Sequence, residues 1–139
     1  MFSVCSSITQ PLSATSVKQY LRSPNYPLQY PKDKTCVWAI TAPSDSYAIK
    51  IEFLAFDLQS FGSCSSSRDS LEIRDGSSHS SALIKLYCQQ NKPQLRTGIY
   101  SSGRYLYLKF KSDNFQSYVI DRGFTIRYSA VLKGKSDFL

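Results

Sequence analysis

Several features that would define a class of protein are missing from this sequence. No run approaches about 18 consecutive apolar residues, so a membrane-spanning helix is not expected. The basic residues never form a long block, and no helix-turn-helix, zinc-finger spacing or aromatic RNA-binding motif is present. Nucleic acid is therefore not expected as a partner. Acceptor sequences for N-glycosylation, Asn-x-Ser/Thr, are also absent.

The residue combinations of an enzyme active site are lacking as well. The single histidine, His79, lies in the polar turn Gly76–Ser81, and the turn offers no third group to orient a base. Glu52 and Glu72 alternate with apolar residues, so they are expected to face solvent rather than form a catalytic pair. The sequence predicts a protein without catalytic activity of its own.

The composition is typical of one folded domain. Of the 139 residues, 42% are hydrophobic and 14% aromatic, with ten tyrosines and eight phenylalanines. Disordered chains have few aromatic residues, so this content indicates a packed core. The length corresponds to about one domain, and a chain of this size can bury a core independently.

Four widely spaced cysteines, Cys5, Cys36, Cys64 and Cys88, indicate the compartment. None forms a Cys-x-x-Cys pair, which disfavours a zinc site. An even number of such cysteines is typical of two disulfide bonds and an oxidising, extracellular environment, although spacing alone leaves three pairings open. Residues 1–4 do not begin a signal peptide, so we expect them to be an N-terminal extension, or added residues, before a mature domain.

Apolar and polar residues alternate with a period of two in several segments, which is the pattern of half-buried β-strands. The segments are Tyr47–Phe53, Leu71–Ile73, Leu106–Phe110 and Phe124–Tyr128, with a shorter one at Trp38–Ile40. Turn-forming sequences such as Asp75-Gly76 separate them, and no segment has the period of an amphipathic helix. This arrangement predicts an all-β protein with an antiparallel sandwich.

The order of the motifs resembles that of the CUB domain family. The sequence Ser23-Pro24-Asn25-Tyr26-Pro27, a second Tyr-Pro at Tyr30-Pro31, and Cys36-Val37-Trp38 resemble the opening of these domains. The later matching motifs are Ile51-Glu52-Phe53, Phe56-Asp57-Leu58, Cys64, Asp69–Gly76, Cys88, Phe110–Asp113 and Gly123–Ile126. The similarity covers residues 5–130, which leaves residues 131–139 as a C-terminal tail.

The resemblance implies a CUB-type sandwich of two antiparallel sheets, with disulfide bonds Cys5–Cys36 and Cys64–Cys88. It also implies a non-catalytic extracellular module that binds a protein ligand or receptor. Such a module belongs to a larger secreted or membrane-anchored receptor, co-receptor or matrix-associated protein. The alternative is a stand-alone secreted protein of the spermadhesin kind, which binds glycans or sulfated polysaccharide.

Many CUB domains bind Ca²⁺ at one end of the sandwich, and the resemblance places the ligand positions at Tyr30, Gln59, Asp69 and Asp113. Gln59 stands where the family has a carboxylate, so one negative charge is lost. The segment between Cys64 and Asp69 is also longer than usual. Two interpretations remain open: a weakened calcium site, or carboxylates that serve only as turn and loop hydrogen-bonding groups. In calcium-binding relatives the ion-held loops often capture a partner lysine, so a weakened site favours another surface for the partner.

The net charge of +7 has two interpretations, a solvated basic surface or a patch for an anionic partner such as a sulfated glycan. For the patch the sequence predicts Arg104, Lys109, Lys111 and Arg127, because Lys109 and Lys111 share one face of a strand.

Overall fold

The structure, a computed structural model, describes residues 5–59, 64–65, 68–115 and 119–134. The predicted extension, residues 1–4, and residues 135–139 of the predicted tail lie outside these ranges. The described residues form nine strands: β1 (Gln10–Ser13), β2 (Gln19–Arg22), β3 (Thr35–Thr41), β4 (Tyr47–Asp57), β5 (Ser70–Asp75), β6 (Ala82–Tyr87), β7 (Ile99–Tyr100), β8 (Tyr105–Lys111) and β9 (Gly123–Leu132). Within the same ranges, no helix is long and apolar enough to cross a membrane.

The strands form two packed sheets, which confirms the predicted all-β sandwich. One sheet has the order β1-β3-β8-β5-β6 and the other β2-β9-β4-β7. One pair departs from the predicted antiparallel pattern, because β1 runs parallel to β3. These strands are not consecutive: the chain crosses to β2 in the opposite sheet and returns, and such a crossover permits parallel neighbours.

The core lies between the sheets and is built from the inward positions of each alternating segment. Trp38 and Phe110 from one sheet meet Phe124 from the other, with ring centroids 6.3 and 5.3 Å apart in edge-on contacts. All three side chains are completely buried. The alternation detected in the sequence therefore corresponds to an aromatic inter-sheet core.

Both predicted disulfide bonds are present, Cys5–Cys36 and Cys64–Cys88, with Cα atoms 4.6 and 5.6 Å apart. Cys36 is the second residue of β3, and Cys88 directly follows β6. Because the register aligns Cys36, Phe110, Leu71 and Tyr87 across β3, β8, β5 and β6, both bonds lie toward the same end of the sandwich.

The last strand reaches past the predicted domain boundary. Val131 and Leu132 continue β9 and pair with Ala48 and Tyr47 of β4. Two residues that the sequence assigned to the tail are therefore part of the sheet.

Candidate functional site

The end of the sandwich that carries the disulfide bonds also carries a small acidic pocket. Strands β2, β4 and β8 end here, and β3, β5 and β9 begin here, so their loops converge. The cavity has a volume of about 20 Å³, which is room for one water-sized ion or molecule. Its lining residues are Gln29, Tyr30, Lys32, Gln59, Asp69, Asp113 and Phe115. The structure thus brings the four sequence-predicted calcium positions to one place.

Tyr30 organises the floor of this pocket. Its ring packs edge-on against Phe110 of the core, with centroids 5.2 Å apart. Its hydroxyl donates a hydrogen bond to Oδ2 of Asp69 and accepts one from the backbone N–H of Gln59 at 2.9 Å. Tyr30 therefore fixes Asp69 and the end of β4 to the same buried point.

Backbone and side-chain hydrogen bonds hold Asp113 beside Asp69. The N–H of Asp113 donates to Oδ1 of Asp69 at 2.7 Å, and the carbonyl of Asp113 accepts from the N–H of Asp33 at 2.8 Å. The hydroxyl of Ser112 donates to the carbonyl of Pro31 at 2.7 Å and accepts from the N–H of Lys34 at 2.9 Å. These contacts join the loop before β3 to the loop after β8.

The pocket holds negative charge that its own hydrogen bonds only partly satisfy. Burial raises the pKa of Asp69 to about 6, and the nearby Asp113 carboxylate adds to this rise. The hydrogen bonds that Asp69 accepts from Tyr30 and from the N–H of Asp113 act in the opposite direction. Burial and the bond to Asp69 also raise the pKa of Tyr30. Among the described residues, Oδ2 of Asp113 is buried and accepts no hydrogen bond. Its ion-pair partner is the partly exposed Arg68, whose Nη1 is 3.9 Å away.

The chemistry of the donors suits a hard cation, but their number suits Ca²⁺ only weakly. Two carboxylates, one phenol and two amides line the pocket beside the cationic Lys32, whereas Ca²⁺ takes six to eight oxygen ligands. Within the described ranges, no three His, Cys, Asp or Glu side chains are grouped as a metal site would require. The hydrogen bonds to Asp69 also agree with the second sequence interpretation, in which the carboxylates hold the loops together.

The predicted basic patch is divided by the fold. Lys109 and Lys111 lie on the outward face of β8, two residues apart on the five-stranded sheet. Arg104 precedes that strand, and its Nε donates to the carbonyl of Ala42 at 3.0 Å. Arg127 lies on β9 in the opposite sheet, where it forms a salt bridge with Glu52 at 3.1 Å. The structure brings the two lysines together and places Arg127 on the other face of the sandwich, because β8 and β9 belong to different sheets.

Four exposed apolar side chains at the pocket end were not singled out from the sequence. Leu28, Val119 and Ile120 are 71, 69 and 65% exposed, and Phe115, which lines the pocket, is 45% exposed. The only sequence signal is apolar residues within loops, after Ser112-Asp113-Asn114 and between the Tyr26-Pro27 and Tyr30-Pro31 pairs. Residue type alone does not separate such positions from core positions.

Comparison with known protein families matches residues 5–128 of this chain to the CUB domain. The chain belongs to the CUB domain family. This confirms the resemblance drawn from the motifs. The chain is 38% identical over 109 residues to bone morphogenetic protein 1 of Xenopus laevis, covering 78% of this chain and 14% of that protein. The domain thus spans about one seventh of the length of this relative.

Solved structures share the same fold. The full extracellular region of zebrafish Gpr126/Adgrg6 is 26% identical, with a TM-score of 0.70, covering 91% of this chain and 15% of that one. The MASP-1 CUB2 domain, described as bound to Ca²⁺, is 22% identical with a TM-score of 0.62, covering 85% of this chain and 96% of that one. A CUB domain is a non-catalytic interaction module, and the family together with the two disulfide bonds makes this an extracellular domain.

Proposed function

We propose that this CUB domain recognises an extracellular protein partner through the pocket end, where Asp69 and Asp113 accept a basic side chain of that partner. The observation that carries the proposal is Oδ2 of Asp113, which is buried beside a second carboxylate and accepts no hydrogen bond within the described residues. The ion pair of this oxygen with the partly exposed Arg68 is long, at 3.9 Å, so a closer charge-assisted hydrogen bond from an arriving ammonium or guanidinium group would satisfy it better. The greater length of its relative supports a module within a longer protein.

Ca²⁺ has a secondary role in this proposal. Asp69, Asp113, Tyr30 and the amide oxygen of Gln59 would hold the ion, and a neighbouring fold, the MASP-1 CUB2 domain, is described as bound to Ca²⁺. When bound, the ion supplies positive charge that neutralises the two carboxylates and ties the loops together. With only two carboxylates, we expect a dissociation constant of about 10⁻³ M or weaker, at the limit of extracellular calcium modules.

Calorimetric titration of chelator-treated protein with CaCl₂ tests the ion site. Gln59→Glu restores a third carboxylate and should tighten binding about tenfold, since ligand charge sets calcium affinity. Asp113→Ala should abolish the heat of binding. Asp45→Ala, which removes an exposed carboxylate from a distant turn, is the matched control and should behave as wild type. If neither wild type nor Gln59→Glu binds at several millimolar Ca²⁺, these residues are not a calcium site.

Recognition of a basic side chain is tested by nuclear magnetic resonance with ¹⁵N-labelled protein and two capped tripeptides. Acetyl-Gly-Lys-Gly-amide should shift the amide signals of Gln59, Asp69 and Asp113, and Asp113→Asn should remove these shifts. Acetyl-Gly-Gln-Gly-amide has a similar length but no charge, so it should not shift these amide signals. Equal shifts with both peptides would contradict charge recognition at the pocket.

A second candidate function is the binding of sulfated polysaccharide to the pair of lysines on β8. Lys109 and Lys111 are two residues apart on an outward face, in a chain of net charge +7. On a heparin column, the double variant Lys109→Ala, Lys111→Ala should elute at lower salt than wild type. Arg127→Ala, whose charge is paired with Glu52 on the opposite face, is the control and should elute later than the double variant. If wild type elutes below physiological salt, the basic residues form a solvated surface and not a binding patch.

A further inference from the structure

We propose that Leu28, Phe115, Val119 and Ile120 form an apolar rim that binds the same partner as the acidic pocket. The partner segment then carries a lysine or arginine directly beside a bulky apolar side chain. This inference rests on the proposed function, and it adds the second half of the binding surface. On this inference, apolar contacts with the rim supply affinity for the partner that a weak calcium site does not provide.

The rim is continuous with the pocket. Phe115 lines the cavity, and its backbone N–H donates to Oδ1 of Asp113 at 3.0 Å. Gln29 lines the same cavity, and its Oε1 accepts a hydrogen bond from the N–H of Asp121 at 2.8 Å. Leu28 and Ile120 each lie one residue along the chain from that bond, so the bond brings their two loops together beside the pocket.

A backbone turn positions Leu28 in the rim. The N–H of Leu28 donates to the carbonyl of Asn25 at 2.7 Å, which closes a tight turn with Leu28 at its end. Four of the eleven large hydrophobic side chains exposed in the described part of the chain belong to this rim. Single exposed apolar residues are ordinary, but a group beside a functional pocket marks an interaction surface.

The charges around the rim favour a protein partner over a lipid surface. The basic residues Lys32, Lys34, Arg68 and Arg122 lie at this end together with the carboxylates Asp33 and Asp57, so charges of both signs surround the rim. Anionic membranes select apolar loops surrounded by basic residues. A protein side chain packed on the rim would instead exclude water from the ion pair in the pocket, which strengthens that pair.

Three capped pentapeptides, titrated into the 139-residue chain and followed by nuclear magnetic resonance, test the inference. They are acetyl-Gly-Leu-Lys-Leu-Gly-amide, acetyl-Gly-Ser-Lys-Ser-Gly-amide and acetyl-Gly-Leu-Gln-Leu-Gly-amide. The first should bind at least tenfold more tightly than the others. Leu28→Ser and Ile120→Ser should each lower its affinity severalfold toward that of the serine peptide. Val17→Ser is the matched control, because Val17 is also 69% exposed but lies between β1 and β2 at the opposite end.

The outcomes separate the rim from the pocket. If Leu28→Ser and Ile120→Ser bind the leucine-lysine peptide as wild type does while Asp113→Asn does not, the rim is overturned and the proposed function stands. If Asp113→Asn leaves all lysine peptides bound, the proposed function itself fails. Co-sedimentation with phosphatidylcholine–phosphatidylserine vesicles that is lost in Ile120→Ser, without selective binding of the leucine-lysine peptide, would assign the rim to a membrane and overturn the inference. Thermal unfolding of each variant should show that these exposed substitutions leave the fold intact.

Discussion

The buried carboxyl group of Asp69 should destabilise the domain as pH rises from 4 to 7. Its pKa is about 6 in the folded protein, compared with an ordinary value of 3.8. A raised folded-state pKa means that the folded protein holds this proton more tightly than the unfolded chain does. The contribution of Asp69 to stability is therefore complete below about pH 3.8 and is lost as pH rises through about 6.

The size of the effect follows from these two values. Their difference corresponds to about 3 kcal/mol in the free energy of unfolding, of which about 2 kcal/mol falls between pH 4 and pH 7. Asp69→Asn removes this dependence. The variant also turns an amide NH₂ toward one of the donors, Tyr30 or the N–H of Asp113, at a cost of about 1–3 kcal/mol. Because that cost is the same at both pH values, the pH-dependent part remains measurable.

Urea unfolding at pH 4, 5, 6 and 7, with a chelator present throughout, measures the difference between wild type and Asp69→Asn. The variant should gain about 2 kcal/mol relative to wild type across this range. Asp45→Asn, an exposed carboxylate in the turn before β4, is the control and should show no such gain. A difference that stays constant within about 0.5 kcal/mol from pH 4 to pH 7 would refute the reasoning.

Two further predictions concern the frame around the pocket. Gly123 has φ +96, and a Cβ there would lie 1.8 Å from Oγ of Ser23. Gly123→Ala should therefore lower the free energy of unfolding in urea by about 2–4 kcal/mol. Gly103→Ala, with open space around it, is the control and should be nearly neutral. Replacing both Cys64 and Cys88 by alanine should cost about 3 kcal/mol and lower the melting temperature while the β-type circular dichroism is kept; an unchanged melting temperature would contradict a stabilising role.

The sequence predicted the strands whose two faces have different surroundings. In β4, β8 and β9 one face packs in the core, so apolar and polar residues alternate over several positions. Strands β1, β2, β6 and β7 were not predicted. They are edge strands with two to six residues, and β6 has five nonpolar or aromatic residues among its six, so it shows no clear alternation.

The candidate site was predictable only as a set of positions. Motif order located Tyr30, Asp69 and Asp113, because each follows a recognisable sequence. The hydrogen bonds that surround them depend on loops separated by tens of residues, such as the bond from Ser112 to Pro31, and no local pattern encodes these. The basic patch shows the same limit, because Arg127 lies in the sheet opposite Lys109 and sheet membership depends on the whole topology.

The two disulfide bonds, which lie at the pocket end, also determine where the domain should loosen first. The opposite end is closed by the turns between β5 and β6 and between β7 and β8, which have no covalent link. Local opening, seen as early amide hydrogen exchange, should therefore begin in those turns. The N–H groups of Gln59 and Asp113 should exchange later, so the pocket stays assembled while the far end opens and closes.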